Sequence, residues 1–281
     1  MAGDRGRIFA DGKAGQKGYI GFMKATLFLL AFLAIEVPRL SAATDHLPQT
    51  YVLVHGATGG GWDWKTVANL LTADGNTVYR PTLTGLGERM HLANADVNLT
   101  THVTDIVNVI LFENLHDVVL VGHSYGGMVI TGVMDKIPDR ISHVIFLDAA
   151  APDDGQSKLD NEHTPLSSLK VRDGLIIFPW LDETRPIPRD VPQPLKTYTE
   201  PVSYRNPAAK LIPVTYIWYN HPDFTPEEKA SAEKTGERLR KERGWTIRAL
   251  DSDHNAQRSH PTELKALLEA SLADRNSPVA N

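Results

Sequence analysis

The chain has 281 residues and no cysteine, with 42% hydrophobic and 22% charged residues, proportions ordinary for a folded globular protein. This composition excludes a disordered or collagen-like chain. The missing cysteine excludes disulfides, thiolate nucleophiles, iron–sulfur clusters and cysteine-bound zinc. A formal charge of −5 argues against nucleic acid as a main partner, because phosphate binding needs a basic surface.

Residues 1–22 are rich in glycine and charge. Met23-Lys24 then leads into an apolar run, residues 25–35, followed by the small residues Ser41-Ala42-Ala43. The run is too short to span a bilayer, which needs about 20 residues. A basic start, a short apolar centre and a small-residue end describe a secretory signal peptide. The expectation is a secreted or periplasmic protein with no stable membrane association once the signal is removed. A buried N-terminal helix and a retained anchor are the alternatives, and Met23 is a second possible start. Removing residues 1–43 takes away six basic and three acidic residues and leaves a net charge of −8.

The remaining residues, 44–281, read as strand, loop, helix, repeated. Tyr51–Val54 is a buried strand running into the Gly-rich turn His55–Gly61. A helix is expected over Trp62–Ala73 and a strand over Thr77–Tyr79, stopped by Pro81. Thr100–Phe112 forms a helix with Val103, Ile106, Val107 and Ile110 on one face. Val118–Val121 is a strand, followed at once by Gly122–Gly127 and a helix through Met134. Further strands are expected at Val144–Leu147, Val214–Trp218 and Thr246–Leu250. Pro261–Ala273 closes as a helix, and Glu227–Arg243 is a charged, solvated one. Alternation of this kind implies an α/β fold, a mostly parallel sheet covered on both faces. Residues 151–213 break the rhythm and hold ten of the 18 prolines. Their apolar and aromatic content suggests a cap inserted over the carboxyl edge of the sheet.

Gly122-His123-Ser124-Tyr125-Gly126 fits G-x-S-x-G, and a strand precedes it while a helix follows. Such a turn is sharp enough to strain the serine and project its hydroxyl above the sheet, where the helix N-terminus favours negative charge. Ser124 is the expected nucleophile. His254, in the loop after the last strand, is the expected general base. His55 reads as structural, His123 as pointed away from the site by the geometry of the elbow, and His221 and His260 as exposed. The oxyanion hole is expected from the backbone amides of Tyr125 and, in the first turn, Ala57. That turn is no nucleotide loop: Trp64, not glycine, precedes Lys65-Thr66, and the spacing G-x-G-x-x-G is absent.

His55-Gly-Ala-Thr-Gly-Gly-Gly-Trp62, Leu83-Thr-Gly-Leu-Gly-Glu-Arg89, Gly122-His-Ser-Tyr-Gly-Gly127, Leu147-Asp-Ala-Ala-Ala-Pro-Asp-Asp-Gly155 and Asp253-His254 together resemble the α/β-hydrolase superfamily. Within it they are similar to the bacterial esterase branch related to plant methylesterases and hydroxynitrile lyases. The resemblance covers roughly residues 50–273. It implies a Ser-His-Asp esterase with a cap, acting on a small-molecule ester through an acyl-enzyme, with no metal and no cofactor. The lyase relatives carry a lysine after the histidine and a threonine in the first loop, where this chain has Asn255 and Gly56. Without that lysine there is no cation for departing cyanide, which favours ester hydrolysis. A carbon–carbon lyase and a non-catalytic binder on the same fold are the rival readings. A haloalkane dehalogenase or epoxide hydrolase is disfavoured, because those need an aspartate nucleophile where Ser124 sits.

The acid member has several candidates. Asp148, at the end of the strand after the elbow, comes first. Asp223, after the penultimate strand, is the alternative, although Asp223 or Thr225 could instead cap a helix. Asp251 and Asp253 come last, being too near His254 in sequence. Gly56, Trp62 and Trp180 are candidate pocket residues, with Trp64, Tyr125 and Phe178 as further aromatics that could line the pocket or fill the core. Nothing in the sequence sets an oligomeric state.

Overall fold

The computed structural model describes residues 47–273. The expected signal peptide, residues 1–43, lies outside them. In chain order the first elements are β1 (Thr50–Val54), α1 (Lys65–Ala73), β2 (Thr77–Tyr79), α2 (Leu99–Phe112), β3 (Val118–His123), α3 (Gly126–Lys136) and β4 (Ile141–Leu147). The 151–213 stretch contributes α4 (Lys158–Glu162), β5 (Val171–Arg172), β6 (Leu175–Ile176), β7 (Gln193–Pro194) and α5 (Lys196–Thr199). The alternation resumes with β8 (Val214–Asn220), α6 (Pro226–Arg243), β9 (Thr246–Asp251), α7 (Ala256–Ser259) and α8 (Pro261–Ala273).

Six strands form one parallel sheet in the order β2-β1-β3-β4-β8-β9. Parallel strands need covered faces, and the side-chain alternation supplies both layers. Tyr51 and Leu53 of β1 pack with Trp64, Leu71, Leu264 and Leu268 on the side of α1 and α8. Val52 and Val54 pack with Val103, Ile106, Met128 and Val129 on the side of α2 and α3. From β1 the chain steps outward to β2, then returns across β1 to β3. The order therefore reverses between β1 and β3, and crevices open at the carboxyl ends of strands at such a switch point. His55 leaves β1 there, and Ser124 leaves β3.

Several boundaries differ from the sequence reading. Helix α1 begins at Lys65, because Gly61–Trp64 forms a tighter 3-10 turn first. Strand β4 starts at Ile141, pulled into the sheet by pairing with Val118 of β3. The 151–213 stretch, where little strand pattern was expected, holds a small antiparallel sheet, β5-β6-β7. Two-residue strands are too short to leave a periodic signature. In α6 the N-cap is Thr225, whose side chain accepts from Glu228 N–H in a capping box; Asp223 takes no part.

Helix α3 runs so close to the loop after β4 that only hydrogen fits at Gly127: a Cβ there would strike the Ala150 carbonyl oxygen. Gly127→Ala should therefore destabilise the fold by about 1–3 kcal/mol, read as a lower urea midpoint with unchanged slope. An unchanged midpoint would contradict this packing.

Candidate active site

Ser124 adopts φ +53°, a left-handed conformation unfavourable for a residue with a Cβ. It is pinned in place: its N–H donates to the Leu147 carbonyl at 3.1 Å, and its carbonyl accepts from Gly127 and Ala150, each at 3.1 Å. The flanking glycines are steric requirements. A Cβ at Gly122 would lie 2.7 Å from Ile130 Cδ1, and one at Gly126 would lie 2.9 Å from the Val54 and His55 carbonyl oxygens. The elbow thus wedges helix α3 between β1 and β4 and leaves the serine hydroxyl on top.

Three side chains from three loops converge there. Ser124 Oγ donates to His254 Nε2 at 2.9 Å, and His254 Nδ1–H donates to Asp148 Oδ2 at 2.6 Å. Asp148 also has positive φ, +42°, which turns its carboxylate out of β4 toward the loop after β9. Its other oxygen accepts from Tyr219 N–H at 3.4 Å. The remaining acid candidates are engaged elsewhere. Asp223 is exposed beside His221, 3.9 Å away. Asp251 accepts from Asn220 Nδ2 at 2.7 Å, and Asp253 accepts from Asn255 N–H at 2.8 Å.

The two expected oxyanion amides sit on either side of the serine. Among the described residues, neither the Ala57 N–H nor the Tyr125 N–H is taken up by a protein acceptor. His55 fixes the first of them from below. Its Nδ1–H donates to the Gly56 carbonyl at 2.8 Å, and its Nε2 accepts from Leu83 N–H at 3.1 Å. The Gly56 carbonyl shares a rigid peptide plane with the Ala57 N–H, so holding one aims the other. Burial lowers the His55 pKa to about 4, keeping the ring neutral as this donor–acceptor pattern needs.

His123 differs from the expectation that it points away from the site. It lines the cavity, and its Nε2–H donates to the His254 carbonyl at 2.6 Å. Its ring lies 4.7 Å from that of His254 and stacks on Tyr219 at 6.4 Å. Burial pushes its pKa well below the usual value. His221 and His260 are half-buried, not exposed; His260 Nδ1 lies 3.1 Å from Ser252 Oγ.

Above Ser124 opens a cavity of about 620 Å³. Gly56, Ala57 and Trp180 line it, as does Phe178, which stacks on Trp180 at 4.3 Å. Trp62 lies outside this lining, under the Arg258 guanidinium at 4.4 Å. Trp64 is core, and so is the Tyr125 side chain, whose hydroxyl donates to His102 Nδ1 at 2.9 Å.

Sequence reasoning missed the charges of the lining. Lys158, Arg185 and Arg258 bring cations to it, although none follows His254 directly. Lys158 is buried and paired with Glu162 at 2.5 Å. Arg258 Nε donates to buried Asp63 at 2.7 Å, and burial lifts the Asp63 pKa to about 6 against the pull of Arg258. The Asp63–Arg258 partners lie 195 positions apart, so no local pattern announces them. Among the described residues no group of three or more metal-ligating side chains is placed to hold a metal ion.

Comparison with known proteins places these features in a family. The model of the Alpha/beta hydrolase family matches residues 51–267. A carbendazim-hydrolysing esterase of Nocardioides sp. (strain SG-4G) is 50% identical over 107 residues, 38% of this chain and 44% of that protein. Methylesterase 2 of Arabidopsis thaliana is 37% identical over 116 residues, 37% of this chain and 41% of that protein. The matched stretches thus span less than half the length of these curated relatives. Among solved structures, an extracellular α/β-hydrolase from a Paenibacillus species matches with a TM-score of 0.62 at 25% identity, covering 80% of this chain and 99% of that one. That protein is described as sharing structural and functional homology with tobacco salicylic acid binding protein 2.

The buried imidazoles make stability depend on pH. His55 and His102 are lowered to about 4 and His123 falls well below its usual value, all through burial. In the unfolded chain these groups bind protons below about pH 6.5. Their contribution is therefore complete above pH 6.5 and is lost as pH falls toward the native values. Asp63, raised to about 6, acts oppositely: its burial costs stability above about pH 4, and the cost eases as pH falls through 6. Three imidazoles outweigh one carboxyl, so the urea midpoint should fall between pH 7 and pH 5. A rising midpoint over that range would contradict neutral burial of these rings.

Proposed function

Because the chain belongs to the alpha/beta hydrolase family, we propose that it is a serine hydrolase cleaving small carboxylic esters through an acyl-enzyme. The observation that carries this reading is the continuous hydrogen-bond path from Asp148 through His254 to Ser124 beneath the cavity. In this reading His254 takes the Ser124 proton as Oγ attacks the ester carbonyl. Asp148 holds the imidazole in the required tautomer and stabilises its protonated form. The Ala57 and Tyr125 amides receive the oxyanion, and the proton on His254 then goes to the departing alcohol. A water activated by His254 frees the acid and restores Ser124. The names of the esterase and methylesterase relatives support ester hydrolysis as the overall reaction. The stacked Phe178–Trp180 pair offers a flat apolar wall to the substrate.

We also propose that the protein is exported, on the strength of Lys24, the apolar run 25–35 and Ser41-Ala42-Ala43. An N-terminus of the extracytoplasmic protein close to residue 44 is the expected result. Full-length chain retained in the cytoplasm would contradict it.

The test of the reaction is a comparison of carboxamide variants. Asp148→Asn should lower kcat on short aryl esters by about 10,000-fold, because the amide favours the wrong imidazole tautomer. Asp223→Asn should leave it unchanged. The opposite pattern would assign the acid to Asp223, and full activity in Ser124→Ala would remove the nucleophile from the account.

A further inference from the structure

The loop carrying the Ala57 amide is held by the cap as well as by His55. Thr58 stands at φ +62°, unusual for a β-branched residue. Such a conformation persists only where its surroundings over-determine it. Here the constraint comes from the cap. The Thr58 N–H donates to Gln193 Oε1 at 2.9 Å, and the Thr58 carbonyl accepts from Val191 N–H at 2.8 Å. Thr58 Oγ1 donates to Asp190 Oδ1 at 3.2 Å and accepts from Trp180 Nε1 at 3.3 Å. Gln193 is buried and is itself oriented: its Nε2 donates to Thr197 Oγ1 at 2.8 Å, and that hydroxyl donates to the Pro194 carbonyl at 2.6 Å. A donor at Nε2 leaves Oε1 as the acceptor facing Thr58.

We propose that Gln193 is a positioning residue for the oxyanion hole, acting through Thr58. Two peptide planes flank the Ala57 Cα. His55 holds the plane of Gly56 and Ala57, and Gln193 holds the plane of Ala57 and Thr58. With both planes held, the Ala57 dihedrals have no freedom and its N–H keeps one direction. Without the Gln193 acceptor, the buried Thr58 N–H loses its partner and Thr58 can relax out of the left-handed region. Ala57 then swings with it. Preorganised donors act in the transition state, so the loss falls on turnover more than on substrate binding.

This inference rests on the serine-hydrolase reading, and its test separates the two. Gln193→Met keeps the side-chain length and removes the acceptor. It should lower kcat on p-nitrophenyl acetate by about 100-fold and leave KM within about threefold. Affinity for an aryl trifluoromethyl ketone, which forms a tetrahedral oxyanion on serine, should fall in step with kcat/KM. Thr197→Val removes the hydroxyl that orients the Gln193 amide, along with its bond to the Pro194 carbonyl, but keeps the Gln193 acceptor, and should shift both quantities in the same direction by less. It keeps the test open if Gln193→Met fails to fold. A merely structural role would lower Tm while leaving kcat per folded molecule and ketone affinity unchanged in both variants, and that result would overturn the proposal. Wild-type protein that neither hydrolyses the ester nor binds the ketone would overturn the hydrolase reading and this proposal with it.

Discussion

Ser124 can stand above the sheet because Gly122, Gly126 and Gly127 present only hydrogen to helix α3, the end of β1 and the loop after β4, respectively. Everything at the site depends on that close approach. A residue held at positive φ costs on the order of 1–3 kcal/mol, and Ser124, Asp148 and Thr58 all carry such strain. The sheet supports it. Val118–Val121 of β3 are fully buried, and each such side chain contributes roughly 1.5–3 kcal/mol. The neighbouring strands hold the turn by backbone bonds, Ser124 to Leu147 and Asp148 to Ile217. Ser124 and Asp148 therefore follow the ends of adjacent parallel strands, and their side chains leave the sheet on the same side.

Around this rigid pair the other parts arrive on loops. His254 comes from the loop after β9, which His123 fastens through the His254 backbone. The loop carrying the Ala57 amide comes from β1, clamped by His55 below and the cap above. Asp190 touches both Thr58 and Arg258, so one cap residue joins the oxyanion loop to α7 just after His254. A cap built this way does more than roof the cavity. It shares hydrogen bonds with Thr58, the residue next to the Ala57 amide.

How much of this was legible depended on distance along the chain. The parallel α/β architecture shows in local hydrophobic runs, and Ser124 shows in a five-residue pattern between strand and helix. His254 follows from the loop after the last strand. The acid was harder. Asp148 and Asp223 both follow strands that reach the same sheet edge, and only the left-handed turn at Asp148 distinguishes them in space. Trp62, an aromatic that could line the pocket or fill the core, instead packs under Arg258. Thr58 with Gln193 and Asp63 with Arg258 are bonded across 135 and 195 positions. No periodicity or spacing encodes pairs of that kind, since they exist only once distant parts of the chain have folded together.

The nucleophilic role proposed for Ser124 follows from its strain and its hydrogen bond to His254. It is tested most directly by treating the protein with an aryl phosphonate and locating the adduct by peptide mass spectrometry. The account predicts one phosphonyl group per chain, on Ser124, with loss of ester hydrolysis in proportion to labelling. A preparation that hydrolyses esters yet carries the adduct on another residue, or keeps its activity when Ser124 is fully labelled, would contradict it.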